Sequence, residues 1–282
     1  MRQFATHLSL ALTLLAPAAV TAQTMPAAAT NNVLRIYRET VKPGKGDAHD
    51  ALENAWSTAM DAAKQTTPQL AIKAMSGAEE SWYISAFPNW AEMEKSNQAY
   101  EASPAFAAIN KRFSAQEPEF LSDGRGLILT LRPDLSYGGP GEMGTSRYLS
   151  VTRISVRPGH TAEFEANRKI QKAAHESTTG PDKFSVWQVA SGAPAGTFYI
   201  FAARKSLGEI DRDAIYHTSS AYMAALGDST ARNKMTANTS AAVISTQSDL
   251  FAFAPQQSSP PAEWVKADPG YWKKKALAKK MP

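Results

Sequence analysis

The 282-residue sequence predicts an α+β fold made of two copies of one β-α-β-β-α-β unit. Three observations predict it. A strand-like run closed by a basic residue and a Pro-Gly turn occurs twice, as Val33-Leu-Arg-Ile-Tyr-Arg-Glu-Thr-Val-Lys-Pro-Gly44 and as Tyr148-Leu-Ser-Val-Thr-Arg-Ile-Ser-Val-Arg-Pro-Gly159. An aromatic strand, Trp82-Tyr-Ile-Ser-Ala86, is answered by Phe198-Tyr-Ile-Phe-Ala202. The interval is near-constant, 115 positions from Pro43 to Pro158 and 116 from Tyr83 to Tyr199. Solenoid repeats recur every 20–50 residues or so, so a period this long marks a small domain.

The elements follow in order. Arg2, an apolar run over 8–15 and the small residues Val20-Thr-Ala22 form a signal peptide over 1–22, cleaved before Gln23, which predicts a periplasmic or secreted protein. Its apolar run is too short to span a bilayer. The first unit occupies 33–134. Its opening strand alternates, with Leu34 and Ile36 on one side and Arg35 and Tyr37 on the other. Leu52, Trp56, Ala59, Met60 and Ala63 then recur at helical spacing until Pro68. Strands over 70–75 and 82–87 flank a turn. A broken helical region over 90–113 restarts at Ser103-Pro104, an N-cap followed by proline at the first helical position. A strand over 127–131 stops at Pro133. The Gly-rich segment 135–146 has the composition of a flexible linker. The second unit, 147–255, repeats the order: strand 148–157, helix from about 161 to 175, strand 184–189, strand 198–203, helical stretches over 206–235 and a strand over 249–254. A basic, aromatic tail fills 256–282.

Composition narrows the function classes. There is no cysteine, so an exported chain of this kind must rest on its hydrophobic core. The net charge of +4 belongs to the tail, whose lysines 266, 273, 274, 275, 279 and 280 face only Glu263 and Asp268; the segment 23–255 is near neutral. A nucleic-acid protein would spread its basic residues over a folded face, so that class is excluded. Beyond the leader no stretch is apolar enough for a transmembrane helix.

Candidate site residues come from matching positions and faces. Arg38 and Arg153 stand at equivalent places six residues before the turn glycines, where two guanidinium forks could hold an anion or simply form salt bridges. Arg35 and Tyr37 are answered by Ser150 and Thr152, so a pocket on that face is asymmetric. Trp187 shares a face with Ser185 and Val189 and is the first candidate to line a hydrophobic cavity, core packing being the alternative. His49, His160, His175 and His217 show no metal-ligand spacing along the chain, so no metal is predicted. Gly139-Pro-Gly141-Glu-Met-Gly144 matches a dinucleotide fingerprint by letters, but it lies in the linker and leads into a strand.

The opening strand into Pro43-Gly44, the aromatic third strand, and Trp90-Ala-Glu-Met-Glu followed by Ser103-Pro-Ala-Phe106 together resemble the dimeric α+β barrel superfamily. Its ferredoxin-like units include antibiotic-biosynthesis monooxygenase-like and NIPSNAP-like domains. The resemblance covers most of both units. It implies two tandem ferredoxin-like repeats packed as one pseudo-twofold α+β barrel, a monomer that forms within one chain the pairing its relatives make between two. It also implies a role for His217, which with Tyr216 sits where such domains often carry a histidine serving as general base or haem contact. The leading expectation is binding of a small hydrophobic or anionic molecule, with Arg38, Arg153, Tyr37, Trp187 and Tyr216 as ligand contacts. The rivals are a cofactor-poor monooxygenase-like or haem-handling enzyme acting through His217, and an envelope protein whose tail meets an anionic surface. Haem is the one cofactor the resemblance admits.

Overall fold

Alternation in β1 (Val33–Val41) sends Leu34, Ile36 and Arg38 to one face and Arg35, Tyr37 and Glu39 to the other, and this division organises the molecule. In the computed structural model, which describes residues 31–139 and 142–275, β1 is followed by α1 (Gly46–Ala62), β2 (Leu70–Ala74), β3 (Glu80–Phe87), α2 (Trp90–Glu101), α3 (Pro104–Ser114), α4 (Glu117–Phe120) and β4 (Leu121–Leu131). The second half runs β5 (Tyr148–Val156), α5 (Thr161–Thr178), β6 (Ser185–Ser191), β7 (Thr197–Arg204), α6 (Gly208–His217), α7 (Ser220–Ala225), α8 (Ser229–Ala242) and β8 (Val243–Phe253). The tail adds α9 (Ala262–Ala267) and α10 (Pro269–Trp272). The predicted signal peptide lies outside the described residues. No described helix is long and apolar enough to cross a membrane.

The eight strands close into one antiparallel barrel in the order β1-β3-β2-β8-β5-β7-β6-β4, with β4 returning to β1. Each half contributes four neighbouring strands, and the halves meet at β2–β8 and β4–β6. The fold is therefore mixed α+β. Two strands start earlier than the hydrophobic pattern predicts, β4 at Leu121 and β8 at Val243. Their added residues are mostly polar and exposed, and they are held by backbone pairing to the full length of β1 and β5, which no side-chain pattern reports.

Inside the barrel Leu34, Ile36, Ile72, Trp82, Leu129, Val151, Trp187, Tyr199 and Phe251 form the main core. The register corrects one sequence equivalence. Arg38 pairs with Trp82 in β3, and Arg153 pairs with Tyr199 in β7, so Trp82 corresponds to Tyr199 and not to Phe198. The two rings meet inside the barrel edge to face, 6.0 Å apart.

The linker and the tail both pack on this frame. Leu135 is fully buried, and the Trp272 indole, also buried, donates to the Gly144 carbonyl at 2.7 Å and joins the barrel core beside Phe253. Lys274 reaches back to Ser57 and Asp61 on α1.

Candidate functional site

The side of the first-half sheet that carries Arg35, Tyr37 and Glu39 does not seal against its helices. Between it and α1–α3 lies a cavity of about 410 Å³. Its floor is Tyr37 and Glu39 of β1 with Tyr83 and Ser85 of β3; its walls include Glu53 and Trp56 of α1, Tyr100 of α2, and Phe106 and Asn110 of α3. Ser103 caps α3, accepting from the Phe106 amide, which fixes the angle at which that wall begins. Gly126 of β4 pairs with Tyr37 and shares its face; a β-carbon there would meet nothing within 4 Å, so the missing side chain is part of the empty space.

At the deep end, His49 Nε2 contacts Glu39 Oε2 at 2.7 Å, and both side chains are almost wholly buried. Burial pushes the His49 imidazole down, but the Glu39 contact and the carboxylates around it outweigh that and raise its pKa. Glu53, 6% exposed and close to the same pair, has no cation of its own; burial first, then the Glu39 charge, lifts its carboxyl to about 8. At neutral pH Glu53 is a neutral acid. The Tyr83 hydroxyl, buried beside it, is raised well above 10, mainly by burial and by the charge Glu53 carries once it ionises. The cavity thus presents an acid that can donate, Glu53, next to a carboxylate that can accept, Glu39, among aromatic rings. Arg35 hydrogen-bonds Asn97 and stacks over Phe87, so the cavity's one arginine is already positioned by protein groups.

The sequence-predicted residues are placed as follows. Tyr37 lines the cavity and is 42% exposed. Arg38 points to the barrel side, its Nη2 donating to both carboxylate oxygens of Glu80 at 2.8 and 2.9 Å and its guanidinium lying over the Trp82 ring. Arg153 donates to Gln247 at 2.7 Å in an exposed position. Trp187 is buried in the barrel core, its indole donating to Ser185 Oγ at 2.8 Å. Tyr216 and His217 end α6 in the second half: Tyr216 contacts Thr178, and His217 contacts Asp182. The structure therefore gathers one of these residues, Tyr37, into the large cavity. Sequence reasoning did not single out Glu39 and Glu53. A readable signal existed: Glu53 and His49 fall on the stripe of α1 that is buried, with Leu52, Ser57 and Met60.

A haem in this cavity would need an axial ligand facing it. No histidine lines the cavity, and the phenols of Tyr37 and Tyr83 are both held protonated by burial and neighbouring carboxylates, the opposite of what a ligating phenolate requires. The residues do not fit a haem here.

Among solved structures, an anthrone oxidase-like protein superposes with a TM-score of 0.51 at 12% identity, covering 80% of this chain and 92% of its own. A protein of Lactobacillus acidophilus NCFM, described by a proposed monooxygenase activity, gives 0.50 at 10% identity over 79% and 94%. The chain shares its overall fold with these two proteins. At such identities the likeness is one of fold alone. Chlorite dismutase from Candidatus Nitrospira defluvii, at 0.46 and 10% identity over 84% and 96%, is too distant to bear on haem. No family model matches the sequence, and no curated protein matches it.

Proposed function

We propose that the chain binds a small hydroxyl-bearing aromatic molecule in the first-half cavity. The observation that carries this reading is the juxtaposition of the neutral Glu53 carboxyl with Glu39, itself backed by His49 behind the wall, in a 410 Å³ space lined by Trp56, Tyr83, Tyr100 and Phe106. A phenolic hydroxyl can donate to Glu39 and accept from Glu53 while its ring lies against the aromatic wall. The probe is 2-naphthol, titrated calorimetrically. Wild type binds it, and Gly126→Leu, which fills the cavity from β4, loses binding at least tenfold while melting normally. Equal binding by both proteins would refute the reading.

A second reading is supported by the same acid pair and by the fold: monooxygenase-like chemistry, in which Glu39, backed by His49, takes the proton of the bound hydroxyl and Glu53 holds the resulting oxyanion by hydrogen bonding. It predicts dioxygen consumption with a hydroxyaromatic substrate, suppressed by Glu39→Gln; silence with every bound hydroxyaromatic tested would leave the binding module.

Three further points belong to this proposal. The matched element order of the two halves supports a tandem duplication of a ferredoxin-like unit that pairs within one chain. The leader supports export to the periplasm or beyond. The described part of the tail, with Trp272 in the barrel core and Lys274 held by α1, acts as a plug for the barrel.

A further inference from the structure

The second half carries a polar cluster of a different kind. His175 near the end of α5, Asp182 before β6 and His217 at the end of α6 bring three ligand atoms within 4.8 Å of one another. We propose that these residues form a binding site for a divalent transition-metal ion of the zinc class. Two imidazoles and one carboxylate are a donor set such ions prefer.

The geometry points to the ion in four ways. First, His175 Nδ1 lies 3.2 Å from Asp182 Oδ1, and His217 Nε2 lies 3.2 Å from Asp182 Oδ2. Ligands about 2.0–2.1 Å from a tetrahedral ion stand roughly 3.3 Å from one another, so each imidazole is already at coordination spacing from the carboxylate, and the three donor atoms together lie within 4.8 Å. Second, His175 Nδ1 and Asp182 Oδ1 are buried, face each other and yet make no hydrogen bond. Buried polar atoms seldom go unpaired, and an ion between them satisfies both. Third, Gly180 keeps the approach open: a β-carbon there would sit 2.5 Å from His175 Nδ1 and 2.7 Å from the Tyr216 hydroxyl. Fourth, His175 Nε2 is turned to the Tyr222 hydroxyl at 3.4 Å, an outer contact of the kind that orients a ligating imidazole and leaves Nδ1 as its donor atom.

Arg168, half-buried and within electrostatic reach of Asp182, is an opposing cation, and desolvation lowers its own pKa to about 10. His217 is 42% exposed, so the ion would keep a side open to water, as ions with three protein ligands do. The spacing of these histidines along the chain shows no metal motif, because the ligands come from two helix ends and a loop that meet only in the fold.

The test uses the full chain without a histidine tag, stripped with chelator and titrated with Co(II) and then Zn(II). The expected result is one ion per chain, a visible Co(II) spectrum of low-coordinate intensity that Zn(II) abolishes, and a raised melting temperature. His217→Ala, at a half-exposed position, should weaken Zn(II) binding at least tenfold and remove the Co(II) band with the metal-free melting temperature unchanged. Gly180→Ala should do the same without altering any charge. Arg153→Ala, at an exposed contact on β5, should leave the band intact. Absence of stoichiometric binding by wild type, a band that survives His217→Ala, or one lost in Arg153→Ala would each overturn the proposal.

Discussion

The two halves of the barrel place opposite chemistry in the same frame. The seventh residue of the opening strand is Glu39 in β1 and Ile154 in β5; the fourth residue of the following helix is His49 in α1 and Phe164 in α5; the eighth is Glu53 in α1 and Arg168 in α5. In the second half Phe164 packs on Phe198 with ring centroids 4.7 Å apart, and Ile154, Val156, Val186 and Ala242 complete that layer. In the first half the same layer is a cavity with a buried ion pair at its end. Apolar packing there would stabilise the barrel at little risk, since each large buried side chain contributes about 1.5–3 kcal/mol. The first half forgoes that and holds two carboxyls and a histidine out of water instead. A fold spends stability in this way at sites, and elsewhere packs apolar side chains.

The largest expected effect comes from breaking the buried pair. His49→Ala leaves Glu39 charged and alone, and should cost about 3–5 kcal/mol by urea unfolding. Giving the first half the second half's residues, Glu39→Ile with His49→Phe, should recover most of that loss, because a packed apolar pair replaces an ion pair at little net cost. If the double variant is as unstable as His49→Ala, the two halves are not interchangeable frames.

The pH response should also divide the halves. The carboxyl of Glu53 is raised from an ordinary 4.5 to about 8, so the folded state holds a proton that the unfolded chain releases. Its contribution is complete below about pH 4.5 and is lost as pH rises to about 8, at roughly 1.4 kcal/mol per pH unit across that window. Asp182 is lowered, so its contribution is present above its ordinary value of 3.8 and is lost as pH falls below it. Urea midpoints should therefore decline from pH 5 to 9 in wild type and be flatter in Glu53→Gln, whereas Asp182→Asn should change the fall in stability below about pH 4. A decline unaffected by Glu53→Gln would mean that Glu53 is not the neutral acid of the cavity.

The smallest effect is expected at an exposed contact. Arg153→Ala removes one hydrogen bond to Gln247 and should change stability by less than about 0.5 kcal/mol. Arg38→Ala strips Glu80 of its charged partner in a half-buried site and should cost more. Equal effects would mean that Arg38 is solvated like its counterpart.

Much of this frame can be read from residues. The Pro-Gly turns, the alternation of Leu34 and Ile36 against Arg35 and Tyr37, and the serine–proline start of α3 are local signals with local causes. The contrast of Arg35 and Tyr37 with Ser150 and Thr152 points to an asymmetric face, and the cavity lies on the face that carries Arg35 and Tyr37. The buried stripe of α1 is harder to see. Its buried residues are His49, Leu52, Glu53, Ser57 and Met60, a face rotated from the apolar one that includes Trp56, because His49 goes inward to pair with Glu39, Glu53 is buried beside them, and Trp56 turns to the cavity wall. The meeting of His175, Asp182 and His217 is a product of chain crossing, and no spacing rule along one element contains it.

A ligand site in the first-half cavity is tested most directly by a two-dimensional amide and indole NMR titration of wild-type protein with 2-naphthol. Trp56 lines the first-half cavity, whereas Trp187 lies in the barrel core with its indole on Ser185. Saturable shifts are predicted at the Trp56 indole and at the amides of Tyr37, Tyr83 and Gly126, with the Trp187 indole and the residues around Phe164 unmoved. Shifts centred on Trp187 or on the second-half layer, with Trp56 unchanged, would contradict a site in that cavity.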